Sequence, residues 1–140
     1  MGLIDRILQS KLRLKETILQ GIKFSIVGVL NTFVGWASFF ILFYFLKIDF
    51  RVANILSYIL GITNSFLFNK LWTFKSRRYR FSEVFFFVLV FLISFSIQYF
   101  FTLFLKERLR VNPFLAYIAG NIVYTLIGFI GNKFITFHKV

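Results

Sequence analysis

The chain has 140 residues, 59% of them hydrophobic and 23 of them Phe, with 17 Lys and Arg against five Asp and Glu and a formal net charge of +12. That balance excludes an ordinary soluble domain, and the absence of cysteine excludes a disulfide framework or a thiol metal site. The cations flank apolar runs instead of forming a soluble basic face, so anionic membrane lipids are the expected partner and nucleic acid is not.

Four stretches carry no Lys, Arg, Asp or Glu: Phe24 to Leu46, Val52 to Asn69, Val84 to Leu105 and Val111 to Asn132, each 18 to 23 residues long. A bilayer-crossing helix needs roughly 20 residues, and backbone groups in lipid must be satisfied within their own segment, so these runs are helices. A barrel would alternate polar and apolar residues, and nothing here does. The expected architecture is an all-α membrane protein. An arm over 1–22 precedes one four-helix transmembrane domain over 23–140, with spans at about 24–46, 52–71, 84–105 and 113–134.

In the arm, Leu3, Ile4, Ile7, Leu8, Leu12, Ile18, Leu19 and Ile22 form a stripe of helical period, with Arg6, Lys11, Arg13, Lys15 and Glu16 mostly between them. The pattern predicts a basic amphipathic helix lying flat in the cytoplasmic interface; a solvated helical arm is the alternative. It is not a usual cleavable signal peptide, because more than 20 mixed residues precede an apolar run long enough to span. Helix 1 then carries Ser25, Gly28, Thr32 and Gly35 at three- and four-residue spacing, with Asn31 and Ser38 beside them. Such a smooth face lets another backbone approach closely, and packing is its expected role.

Helix 2 has a more polar stripe: Asn54, Ser57, Gly61, Asn64, Ser65 and then Asn69. Amides at membrane depth need partners, so this face looks into the bundle or a wet cavity; interhelical hydrogen bonds alone are the alternative account. The helix runs out through Lys70, Trp72 and Phe74 into Lys75, Arg77, Arg78 and Arg80. Helix 3 presents Ser94, Gln98 and Thr102 on one face and is otherwise Phe-rich. Pro113 suits the first turn of helix 4, which aligns Tyr117, Gly120, Asn121, Tyr124, Gly128 and Gly131.

Asn69-Lys70-Leu71-Trp72-Thr73-Phe74 returns as Asn132-Lys133-Phe134-Ile135-Thr136-Phe137, and at this offset of 63 residues 52–74 match residues 115–137 at eight of 23 positions. The spacing predicts a duplicated two-helix hairpin, visible in helices 2 and 4 and poor between helices 1 and 3. Cations number five in the arm, five in the central loop and two in the tail, against five on the other side. The positive-inside rule therefore puts both termini and both Asn-Lys motifs in the cytoplasm. Two copies of two spans each share an orientation, related by an axis along the membrane normal.

No Asp or Glu interrupts the four apolar runs, which argues against a proton-driven small multidrug exporter. His138 is the sole histidine and sits at the C-terminus. No nucleophile-base-acid set and no metal site can be assembled, so neither an enzyme nor a cofactor is expected. A lipid phosphate does fit, because a lysine at the headgroup level offers a point charge and three donors. Lys70 and Lys133, helped by Arg77, Arg78, Asn69 or Asn132, are the candidate phosphate ligands; Trp72, Phe74 and Phe137 are candidate interface anchors. Ordinary snorkelling of terminal lysines is the plainer alternative.

Phe24-x-x-Val27-Gly28 entering helix 1, and Asn69-Lys70-x-Trp72-x-Phe74 closing helix 2, resemble the GtrA-like family of small four-span membrane proteins over about Lys23 to His138. Lys70 stands where that family usually carries Arg, which keeps the charge and gives up the bidentate fork. The resemblance implies translocation of a polyprenyl-phosphate-linked monosaccharide, such as undecaprenyl-phosphate glucose, across the cytoplasmic membrane. An outer glycosyltransferase would then move the sugar onto O-antigen, teichoic acid or a related polymer. On that reading Asn54, Asn64, Asn121 and Tyr124 line the sugar path. The competing class is a non-transporting scaffold that stabilises or recruits the glycosyltransferase. Four such helices enclose little space, which makes a homodimer a candidate transporting unit.

Overall fold

The computed structural model describes residues 2–78 and 80–138, with side chains for all of these except Arg51, Asn54 and Phe114. Four helices follow in order: α1 Leu3–Phe40, α2 Phe50–Phe68, α3 Phe81–Leu103 and α4 Pro113–Gly131. Each runs into a five-residue π-helical turn, Ile41–Phe45, Asn69–Thr73, Phe104–Arg108 and Asn132–Thr136 respectively. No strand occurs among the described residues. The chain divides into two compact units, Met1–Lys75 and Ser76–Val140; α1 packs on α2 in the first, and α3 on α4 in the second.

Among the described residues, Leu3–Phe45, Phe81–Arg108 and Leu115–Thr136 are long and apolar enough to cross a membrane. With 19 residues, α2 has a comparable length, but its amides and hydroxyls lower its hydropathy. Five hydroxyls within these helices are satisfied locally, by donating to the carbonyl four residues back. Ser25 donates to Gly21 at 3.0 Å, Thr32 to Gly28 at 3.1 Å, Thr63 to Ile59 at 2.8 Å, Ser96 to Leu92 at 2.8 Å and Thr125 to Asn121 at 2.9 Å. Such bonds let a hydroxyl sit in an apolar helix without a partner from outside.

Three expectations change. First, the arm and the first span form one uninterrupted helix of 38 residues, with no break near residue 22. Second, Gly28 and Gly35 have nothing within 4 Å of the place a Cβ would occupy. The face of α1 that meets α2 carries Phe24 and Asn31: Phe24 lies 6.2 Å from Phe74 between ring centroids, and Asn31 Oδ1 lies 3.2 Å from a Cβ built on Gly61. Packing selects the side that fills volume. Third, Tyr117 is exposed on α4, while Gly120 and Gly131 make the close approach: Gly120 lies against Thr102 and Gln98, and a Cβ on Gly131 would fall 2.6 Å from Val90 Cγ1.

Helices 1 and 3, whose sequences match poorly, play matching parts. Phe87 lies 6.3 Å from Phe137, as Phe24 does from Phe74 at 6.2 Å, and Val27 and Val90 are both buried. Phe24-x-x-Val27 thus recurs 63 positions later as Phe87-x-x-Val90. The turns that follow α1 and α3 match at the same offset. Leu46 N–H donates to Ile41 O and Ile48 N–H to Leu42 O, both at 3.0 Å; Leu109 N–H donates to Phe104 O at 3.3 Å and Val111 N–H to Leu105 O at 3.0 Å. Lys47, Lys75 and Arg110 follow their turns in the left-handed region, with φ of 55°, 51° and 53°. Glycine is the usual residue there; a cation instead complements the negative end of the helix dipole.

Candidate functional site

The two turns Asn69–Thr73 and Asn132–Thr136 close α2 and α4, each within its own unit. Both open on a buried asparagine, and each is capped by a backbone bond from the following phenylalanine: Phe74 N–H to Asn69 O at 2.9 Å and Phe137 N–H to Asn132 O at 2.8 Å. Phe74 and Phe137, expected as interface anchors, are each only 3% exposed and pack on Phe24 and Phe87. Each ring is buried against a partner ring within its own unit. Trp72 alone of the three is exposed, with Lys23 Nζ 5.3 Å from its ring centroid.

Lys70 sits in the first turn at 7% exposure, its Nζ 5.8 Å from the Phe66 ring centroid. A snorkelling lysine lays its stem along apolar surface, and the stem of this one packs inward. Lys133 is half-buried, with Nζ 5.7 Å from the Phe129 ring and 6.0 Å from Phe134. In both turns the ring four residues back faces the ammonium, a cation–π geometry that holds the charge near the helix end. Beside the first turn an open apolar groove of about 650 Å³ is lined by Leu30, Leu67, Phe68, Leu71 and Trp72. Lys70 does not itself line this groove; Lys23, over the Trp72 ring, is the cation against one of its walls.

The asparagine amides are partly committed. Asn69 Nδ2 donates to Ser65 Oγ at 3.3 Å, and Asn132 Nδ2 donates to Gly128 O at 2.8 Å. Arg77 is exposed and Arg78 half-buried. Of the residues expected along a sugar path, Asn64, Asn121 and Tyr124 are half-buried, and Tyr124 stands edge-on to Phe91 at 6.3 Å; the side chain of Asn54 lies outside the described residues.

Thr73 and Glu83 are polar residues that were not among the expected site residues. Thr73 Oγ1 donates to Asn69 Oδ1 at 3.0 Å. Glu83, one residue before the third apolar run, is 5% exposed and accepts a 2.7 Å bond from Ser76 Oγ. It stands in the first turn of α3, where the dipole favours a negative charge. Its signal was its isolation, as the sole acid between Asp49 and Glu107. Asn31 Oδ1 and Ser94 Oγ, 63 positions apart, are both buried atoms without a hydrogen-bond partner, as are Asn132 Oδ1 and Thr136 Oγ1.

The pattern of the GtrA/DPMS transmembrane domain matches residues 23–137. The uncharacterized membrane protein YngA of Bacillus subtilis (strain 168) is 31% identical over 121 residues, covering 86% of this chain and 80% of that protein. YwcD of the same organism, also an uncharacterized membrane protein, is 28% identical over 118 residues, covering 81% and 93%. The bactoprenol-linked glucose translocase of Shigella phage SfII is 24% identical over 120 residues, covering 83% and 92%.

Proposed function

Because the chain belongs to the GtrA/DPMS transmembrane-domain family, we propose that this membrane protein translocates a polyprenyl-phosphate-linked sugar from the cytoplasmic to the outer leaflet of the cytoplasmic membrane. The twice-built Asn-Lys turn carries the reading: each unit ends a long apolar helix on a lysine held beside aromatic rings. Named translocases aligned over most of both chains support it. Lys70 and Lys133 bind lipid phosphate, with Arg77, Arg78 and one N–H each of Asn69 and Asn132 as further donors. Asn54, Asn64, Asn121 and Tyr124 pass the sugar, and the apolar groove lined by Leu30, Leu67, Phe68, Leu71 and Trp72 takes the first isoprene units of the tail.

Each unit is one copy of an ancestral hairpin. The support is the common offset of 63, which relates the turns, the Phe24–Phe74 and Phe87–Phe137 pairs and the left-handed Lys47 and Arg110. All four helices cross the membrane, and both termini face the cytoplasm by the cation count. The charge-free second half of α1 spans; its basic first half meets anionic headgroups on the cytoplasmic side. No acid lies within the charge-free runs, so transport is facilitated and drawn forward by a glycosyltransferase consuming the product outside.

The test is movement of a labelled polyprenyl-phosphate sugar between leaflets of liposomes containing this protein alone, beside a Lys70→Ala/Lys133→Ala double variant. Movement by the wild type and its loss in the variant are expected; a well-folded wild type that moves no lipid overturns the transporter. The open Gly28/Gly35 face favours a second reading, a scaffold whose smooth helix receives a partner helix from a glycosyltransferase or from a second copy. A scaffold moves no lipid in that assay.

A further inference from the structure

The two matching turns are chemically unequal. In the first, Thr73 Oγ1 donates to Asn69 Oδ1 at 3.0 Å and Asn69 Nδ2 donates to Ser65 Oγ at 3.3 Å, so the amide is engaged at both ends. In the second, Gly128 occupies the position of Ser65. With no hydroxyl there, Asn132 Nδ2 donates to the Gly128 backbone oxygen at 2.8 Å. Asn132 Oδ1 and Thr136 Oγ1 are then left without a hydrogen-bond partner, although the residues are only 4% and 5% exposed. Turning the amide over would set its oxygen against the Gly128 carbonyl, so the unpaired end is the oxygen.

Buried polar atoms are nearly always paired. Two orphans in one turn, in a motif whose other copy pairs the same two residues, point to a partner from outside the chain. Their chemistry selects it. Asn132 Oδ1 only accepts, while the Thr136 hydroxyl both donates and accepts. A group that satisfies both atoms fully donates to Asn132 and accepts the Thr136 proton. A hydroxyl does both; an ionised phosphate has no proton to give, and an ammonium, which could donate to both oxygens, would leave the Thr136 proton unpaired. We propose that Asn132 and Thr136 form a hydroxyl-binding site for the sugar of the carried lipid, and that the matching Asn69 Oδ1 and Thr73 Oγ1, already bonded to each other, form no such site. The proposal rests on the translocase reading above and divides the labour between the turns.

The experiment compares binding of two probes to the purified full chain in lipid nanodiscs: undecaprenyl-phosphate glucose, and undecaprenyl phosphate without a sugar. Thr136→Val is expected to cut the preference for the glucose lipid about fivefold, the worth of one neutral hydrogen bond, and to leave binding of the sugarless lipid unchanged. It keeps its melting temperature, since a methyl replaces an unpaired hydroxyl. Thr136→Ser restores the preference. Thr73→Val, which strands buried Asn69 Oδ1, lowers the melting temperature and keeps the preference. An unchanged preference in Thr136→Val overturns the site; an accompanying loss of stability would identify a trapped water as the true partner. Wild type that binds both probes alike also overturns the site and leaves lipid-phosphate binding standing. Wild type that binds neither overturns the translocase reading itself.

Discussion

Lys70 is the residue on which the proposed chemistry turns. Lysine is almost never deeply buried unless something holds its charge, and here the stem packs inward at 7% exposure with a ring beside the ammonium. Lys70→Met keeps the stem and removes the charge. It is expected to leave the protein folded and to weaken binding of undecaprenyl phosphate at least tenfold, the worth of a charge-assisted bond of about 1.5–3 kcal/mol; titration in detergent micelles reads it. Lys133 is half-buried and less confined, so Lys133→Met is expected to cost less. Glu83 makes a separate prediction. Glu83→Leu leaves Ser76 buried without its 2.7 Å acceptor and is expected to destabilise the fold by about 1–3 kcal/mol, seen as a lower thermal midpoint.

At the scale of elements, glycines that look alike in sequence have opposite duties. Gly131 meets Val90 where a Cβ would fall 2.6 Å from Cγ1, and Gly120 lies against Thr102 and Gln98. Gly131→Ala is expected to push α4 off α3 and to cost about 1–3 kcal/mol. Gly28 and Gly35 have open space, so Gly28→Ala is expected to be neutral or to gain up to about 1 kcal/mol of helix propensity. Thermal melts of the two variants in one detergent separate the two classes. If a partner helix covers α1, Gly28→Leu breaks the complex and spares the isolated chain. The buried side of α3, Glu83, Phe87, Val90, Ser94 and Gln98, follows a helical spacing. It was only partly legible, through Ser94 and Gln98, because α3 is apolar almost all round.

For the whole molecule, orientation is the property most cheaply tested, because the chain has no native cysteine. In intact spheroplasts, Glu107→Cys is expected to react with a membrane-impermeant maleimide. Gly2→Cys and Arg77→Cys are expected to react only after permeabilisation. All three positions are exposed, so a reversed pattern would invert the topology drawn from cation counting. The long α1 adds a geometric constraint. Leu3–Phe45 would reach roughly 65 Å at 1.5 Å per residue, about twice the hydrocarbon core, so only part of it spans.

The sequence by itself determined the solvent, the helical class, the approximate ends of α2, α3 and α4, though not the start of α1, and the recurrence of the Asn-Lys turn. Those follow from local quantities: charge-free length, the demand that backbone groups in lipid pair within their segment, and identity at a fixed offset. Tertiary structure alone decided that Phe74 and Phe137 turn inward, that Phe24 and Val27 rather than Gly28 and Gly35 lie on the packed side of α1, and that Phe87 and Val90 repeat their roles. It also decided that Thr73 is paired and Thr136 is not. Each depends on which side chains meet, across helices or one turn apart, and in a chain greasy on every side the hydrophobic pattern does not say which way is in.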